Sequence, residues 1–260
     1  LEELTEETFE REIVIKEIDR ELSVLNNLMG AMALNILGDA KTLAHELLNI
    51  VTGGCFIDLY LAESSYLPFP NTVYYREGDE LTFFLFFPSV EYMTHERIGL
   101  IAHETFHVQE TVHKYTESTS PEKRRIGESL ADVLGLYTAG LLFPHALSYV
   151  LLNDFKEHSL HEDFGSHSSW ACRIHILDFV NSHLWETEAF RKAVHEALTR
   201  VVKNEPPSLR EDIFIARCLR EYDRLKKEFS VFMFDEKRIG SLKNGEEDSM
   251  LCRLNTQYVR

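Results

Sequence analysis

What this chain has little of narrows its reading first. Four cysteines occur in 260 residues, Cys55, Cys172, Cys218 and Cys252, and none forms a C-x-x-C pair. Instead of a disulfide framework, the expectation is reduced, buried thiols in the cytoplasm. Basic residues are scarce beside acidic ones, 27 against 43, which leaves a net charge of −16 and a pI near 5.2. That balance argues against nucleic acid as a partner and against docking on anionic lipid, while a basic peptide segment would be attracted. There is no Gly-rich phosphate loop, no repeat and no low-complexity tract. The opening LEELTEETFERE lacks the basic and apolar regions of a signal peptide. It also lacks an initiator Met, which fits removal of an upstream segment. From Val133 to Leu152 no Asp, Glu, Lys or Arg occurs, so a membrane span has to be weighed. Pro144 and His145 in its middle, with Asp132 and Asn153-Asp154 at its ends, point instead to a pair of buried helices.

What is present centres on Ile98 to Val112, IGLIAHETFHVQETV, which contains H-E-x-x-H at His103, Glu104 and His107. Residues four apart on a helix are separated by only about 40° around its axis. Both imidazoles would then reach one metal ion, with Glu104 beside it as a general base for a water activated there. Of five His-Glu pairs in the chain, only this one has a second histidine four residues on. Further along, GESLAD supplies E-x-x-x-D at Glu128 and Asp132. Glu128 suits a third metal ligand, and Asp132, one turn later, suits an acceptor for the outer N–H of a ligating histidine.

His113 offers another third ligand, because it completes H-E-x-x-H-x-x-x-x-x-H. That spacing resembles the metzincins, which usually carry Gly or Asn for a sharp turn where this chain has Glu110. On a continuous helix His113 lies about 15 Å along the axis from His103. No Met-turn follows, since Met233 and Met250 are far downstream, and Glu128 is the preferred ligand.

HETFH followed by GESLAD resembles the gluzincins, thermolysin-like zinc peptidases with H-E-x-x-H and a downstream E-x-x-x-D. The resemblance spans roughly Leu81 to Leu142. It implies Zn2+ held by His103, His107 and Glu128, Glu104 as catalytic base, and Asp132 orienting His103. SHSSWACRI is similar in part to a His-Pro-Pro…Arg-Ile segment of some zincins, without the prolines. The expected activity is peptide-bond hydrolysis on a peptide or protein substrate, as an endopeptidase rather than an exopeptidase. Two alternatives are a zinc hydrolase of a non-peptide amide and a catalytically silent binding protein. The oxyanion needs a donor. His167 and Arg173, in the histidine-rich stretch with His158 and His161, are the first candidates, and Tyr137 is the reserve.

The expected architecture is a single α+β domain, 1–260, mostly α-helical, with a short antiparallel sheet before a zincin-type pair of metal-binding helices. Its parts are an N-terminal helical part (1–53), a sheet and metal-site core (54–150), a C-terminal helical part (151–245) and a polar tail (246–260). Helices are expected around Phe9 to Leu22 and through KTLAHELLNIV to Gly53-Gly54, where His45 reads as a surface or half-buried histidine. Strands are expected at Phe56–Ala62, Thr72–Arg76 and Leu81–Phe87, with a hairpin at Glu77-Gly78-Asp79. The strand before the metal helix is expected to leave a free edge for an extended peptide. The metal helix should start near Thr94 or His95 and end near Tyr115. Pro121 should open the next helix, Pro144 should interrupt it, and another helix should start at Ser168 or Ser169. Three amphipathic stretches follow Leu177, the last with a capping box from Ser208 to Glu211.

Overall fold

The computed structural model describes residues 18, 22, 38–52, 58–64, 71–77, 80–88, 99–113, 120–153, 160–163, 165–202, 206–236 and 249–258. In chain order these form α1 (Gly38–Thr52), β1 (Asp58–Ser64), β2 (Asn71–Glu77), β3 (Glu80–Pro88), α2 (Ile101–His113) and α3 (Pro121–Ala139). Then come α4 (Leu142–Asn153), α5 (Trp170–Leu184), α6 (Glu188–Val202), α7 (Leu209–Phe229), a 3-10 turn at Ser230–Phe232, and α8 (Met250–Thr256). The described part is mostly helical. Of the expected helix around Phe9, only Ile18 and Leu22 are described, both helical and exposed. Gly53, Gly54, Cys55, Gly78, Asp79, Thr94, His95 and His158 lie outside the described residues.

Helix α3 is the hub, touching α1, α2, α4, α5 and α7. Its start follows from local chemistry. The Ser120 side chain accepts from Lys123 N, and Pro121 occupies the first turn, where its missing N–H costs nothing. From Ile126 to Ala139 every residue is buried except Glu128, which is half-buried. A stretch apolar on nearly all sides belongs in the interior of a bundle, and its one half-open position, Glu128, lines the site described below.

The break after α3 falls at Gly140, not at Pro144. Gly140 has φ 62, a left-handed conformation that costs glycine little, and its N–H returns to Leu136 O. Pro144 sits instead in the first turn of α4, where no helical hydrogen bond is lost. The uncharged run thus folds into two helices, α3 and α4, with most of their residues buried. Among the described residues no helix is long and apolar enough to cross a membrane.

Two further expectations change. The sheet is mixed rather than antiparallel. Its order is β1-β3-β2, with β3 antiparallel to β2 across Glu77↔Glu80 and parallel to β1 from Asp58↔Thr82 to Ser64↔Pro88. The Phe-rich run of β3 is the central strand, and its two edges are both paired. The edge strand that lies against α2 is β2. The polar tail is also revised, because 250–256 is helical and docked. Met250, Leu251 and Leu254 fall at helical spacing and are buried, behind a Ser249 cap on Cys252 N. The Glu46 carboxylate accepts from Met250 N and Leu251 N, and Asn255 bonds Leu141 N and Ala139 O at the α3–α4 corner.

Of the remaining expectations, α5 is capped by Ser169 and α7 by a full Ser208–Glu211 capping box. Cys172, Cys218 and Cys252 are free and buried, and His45 is exposed.

Candidate metal centre

Helix α2 begins at Ile101 rather than near Thr94, immediately after a close approach to α4. A Cβ on Gly99 would stand 2.4 Å from Leu142 O, so only glycine fits there. This contact fixes where α2 starts against the bundle. Ile101, Ala102 and Phe106 are fully buried on its core side, and Thr105 turns its hydroxyl back to Ala102 O. His103, Glu104 and His107 share the remaining face. His103 is 8% exposed, Glu104 is 9% exposed and His107 is half-buried.

Across from this face, α3 presents Glu128 and Asp132 one turn apart. His103 Nδ1 donates to Asp132 Oδ1 at 2.8 Å. Glu128 Oε2 lies 3.1 Å from His103 Nε2 and 3.6 Å from His107 Nε2, and those two nitrogens are 3.3 Å apart. The third neighbour comes from the loop before α5, where His167 Nε2 lies 3.2 Å from the same Oε2. The ligating atoms of His103, Glu128 and His167 all fall within 4.8 Å of one another, as do those of His103, Glu104 and His107.

His167 is held there by its own loop. Ser169 N donates to Asp163 Oδ1, Ala171 N donates to Leu160 O, and the buried Ser168 hydroxyl meets that of Ser129 on α3. Asp163 is anchored in turn by Arg125 and Arg210. His161, from the same loop, turns away to Glu211.

Arg173 is not where an oxyanion donor would be expected. It is 4% exposed and grips Asp132 in a two-pronged ion pair, Nε to Oδ2 at 2.5 Å and Nη2 to Oδ1 at 2.7 Å. The Trp170 ring lies 4.2 Å from its guanidinium carbon. Arg173 thus stands behind Asp132, which stands behind His103. Tyr137 is likewise engaged elsewhere: it is 3% exposed and its hydroxyl pairs with that of Tyr222 at 2.8 Å. Burial and that neighbour push its pKa well above the ordinary value. The motifs named all these residues, but no sequence signal separated an arginine paired in the interior from one aimed into a cleft. Helix α2 runs unbroken through Glu110, without the sharp turn that ligation by His113 would need.

Burial and charge pull against each other at His103, Glu128 and Asp132. Burial opposes a charge on His103, yet hydrogen bonds to Asp132 and Glu128, with the charges of Asp132 and Glu104, outweigh it and raise the pKa to about 9. Burial would raise Glu128, but His103, His107 and His167 hold it far below the carboxylate range. Burial likewise works against ionised Asp132, and Arg173 with His103 brings it down to about 2.

A metal fits these residues on a structural ground. One carboxylate oxygen offers two lone pairs, and three imidazole nitrogens crowd around Glu128 Oε2. Protons cannot satisfy all of those contacts through that one oxygen, whereas a central cation uses every donor. Tetrahedral zinc with bonds of about 2.0–2.1 Å has ligand–ligand edges of about 3.3 Å, the scale of the spacings here. None of the family models, curated proteins or solved structures compared with this chain matches it.

Proposed function

We propose that this chain is a zinc-dependent peptide hydrolase of the gluzincin kind. The observation that carries the reading is the convergence of His103, His107 and Glu128 from two facing helices, with Glu104 alongside. The three donor types suit zinc, with two nitrogens and a carboxylate oxygen. Zinc held there would polarise a scissile carbonyl and make a nearby water acidic enough to ionise near pH 7.

The chain's own residues divide the rest of the work. Glu104, beside the ligands on α2, takes the proton from the attacking water and passes it to the leaving amine. Asp132 holds Nδ1 of His103 protonated, so that Nε2 keeps its lone pair for the metal. Arg173 positions Asp132 and balances its charge. His167 is the one candidate donor to the oxyanion that stands beside the ligands. An extended substrate would add to the outer edge of β2, the strand that lies against α2, since β3 is paired on both sides. Retention of Glu104 favours catalysis over a silent binding role.

The test is Glu104→Gln, which keeps the shape of the side chain but cannot accept the proton. Peptide turnover should fall by about 10²- to 10⁴-fold, the scale of lost acid–base catalysis, with zinc content and melting unchanged. Near-normal hydrolysis by a zinc-loaded Gln variant would remove Glu104 from this role.

A further inference from the structure

A hydrolytic zinc site keeps one position open for substrate, whereas a site closed by four protein ligands is the structural kind. The cluster here has a fourth donor. His167 Nε2 is 3.2 Å from Glu128 Oε2, as close as His103 at 3.1 Å and closer than His107 at 3.6 Å. Its reach to His103 is within 4.8 Å. The loop that carries it is tied after His167, through Ser168 to Ser129 and Ser169 to Glu211, and before it, through Asp163 to Arg125 and Arg210. The position of His167 is therefore built by the fold.

We propose that His167 is a fourth protein ligand to the metal, closing the site at rest and leaving it when substrate enters. This deepens the hydrolase reading and rests on it only for the identity of the substrate. The resting state is three imidazoles and one carboxylate. Exchange replaces the His167 nitrogen with a substrate oxygen, so no charge is created and no redox step is needed. The displaced imidazole, with Nδ1 beside the Ser166 hydroxyl, stays next to the incoming oxygen, where a donor to the oxyanion is wanted. One residue thus guards the site and then serves it. The expected behaviour is that of a protein whose binding-competent form is a minor population, which weakens ligands by the open fraction.

The experiment uses the full chain loaded with Co2+ as a visible probe, with acetohydroxamate as a small metal-binding ligand. If the open form is about a tenth of the population or less, His167→Ala should bind acetohydroxamate about tenfold more tightly than the unaltered protein. Its Co2+ absorption should shift before any ligand is added, and zinc should be held at least about tenfold more weakly, judged by chelator competition. His167→Gln, closer in size to His, should behave like the Ala variant and guards against a packing artefact. Unchanged spectra with equal acetohydroxamate affinities would overturn the proposal, as would weaker zinc binding without the gain in hydroxamate affinity. The latter would make His167 a hydrogen-bond partner of Glu128 only. Peptide turnover is scored separately. A protein that passes the Co2+ test but cleaves no peptide would refute the hydrolase reading and leave the fourth ligand standing.

Discussion

Glu128 and Glu211 make an instructive pair. Each is a carboxylate on a helix, each faces the loop between α4 and α5, and each meets one of its histidines, His167 or His161. Around Glu211 the partners are donors. Ser208 N gives a hydrogen bond at 2.7 Å, the Ser169 hydroxyl another at 2.6 Å, and His161 a third group at 3.1 Å. The contacts are shared between its two oxygens and complete a capping box. Around Glu128, three imidazole nitrogens converge on a single oxygen, more than its lone pairs can serve. The same ingredients therefore make a structural clamp in one place and, on the function proposed above, a cation site in the other. What differs is whether protons already in the chain satisfy the acceptor.

Exchanging the two carboxylates for amides breaks this comparison most directly. Glu128→Gln should weaken zinc binding by about 100-fold or more, at or beyond the upper end of the loss from an outer partner. Glu211→Gln should leave zinc affinity unchanged and lower stability by about 2 kcal/mol, the scale of a lost cap and a charge-assisted bond. Zinc titration and denaturant melts of both variants decide it, and matching profiles would erase the distinction.

A second test sharpens the metal side. Arg173→Met removes the partner of a carboxylate that is 1% exposed. It should cost about 3–5 kcal/mol, because a buried charge is left uncompensated. Zinc binding should weaken as well, as Asp132 loses its orientation. A Met variant as stable as the parent would mean that Asp132 finds another partner.

The smallest effect concerns acid. Burial would raise the Glu211 pKa, but hydrogen bonds from Ser169, Ser208 and His161 lower it from 4.5 to about 2. A carboxylate depressed on folding adds stability above its unfolded pKa and loses it as pH falls through the folded one. Melts between pH 6 and 2.5 should show the parent losing its advantage over Glu211→Gln below about pH 4.5. A constant gap across that range would remove the ionic contribution.

Much of this was legible in the residues. The H-E-x-x-H spacing and the E-x-x-x-D that follows depend only on helical periodicity, and α2 and α3 bring those side chains face to face. The helix starts at Pro121 and at Ser168 or Ser169, and the capping box from Ser208 to Glu211, could be read because the chemistry of a helix start acts locally. The departures arose where the deciding contact is distant in sequence. Pro144 looked like a breaker, but Gly140 takes that role because Asn255, far downstream, binds Leu141 N at the corner. LTFFLFF could be read as a strand, although nothing within it said that β1 would pair in parallel on its far side. Arg173 could be picked out as chemical, but its direction is set by Asp132, 41 residues away.

That corner also has a consequence for how the molecule is made. Asn255 follows Ala139 by 116 residues. At about 5–20 residues per second on the ribosome, it emerges roughly 6 to 23 s later. Until then the C=O of Ala139 and the N–H of Leu141 lack their native side-chain partner, and the hub helix ends in an unfinished turn. Helices α2 and α3 are synthesised well before the clasp that closes the hub's far end. The far end of the hub is thus completed by a residue that never touches the His–Glu cluster.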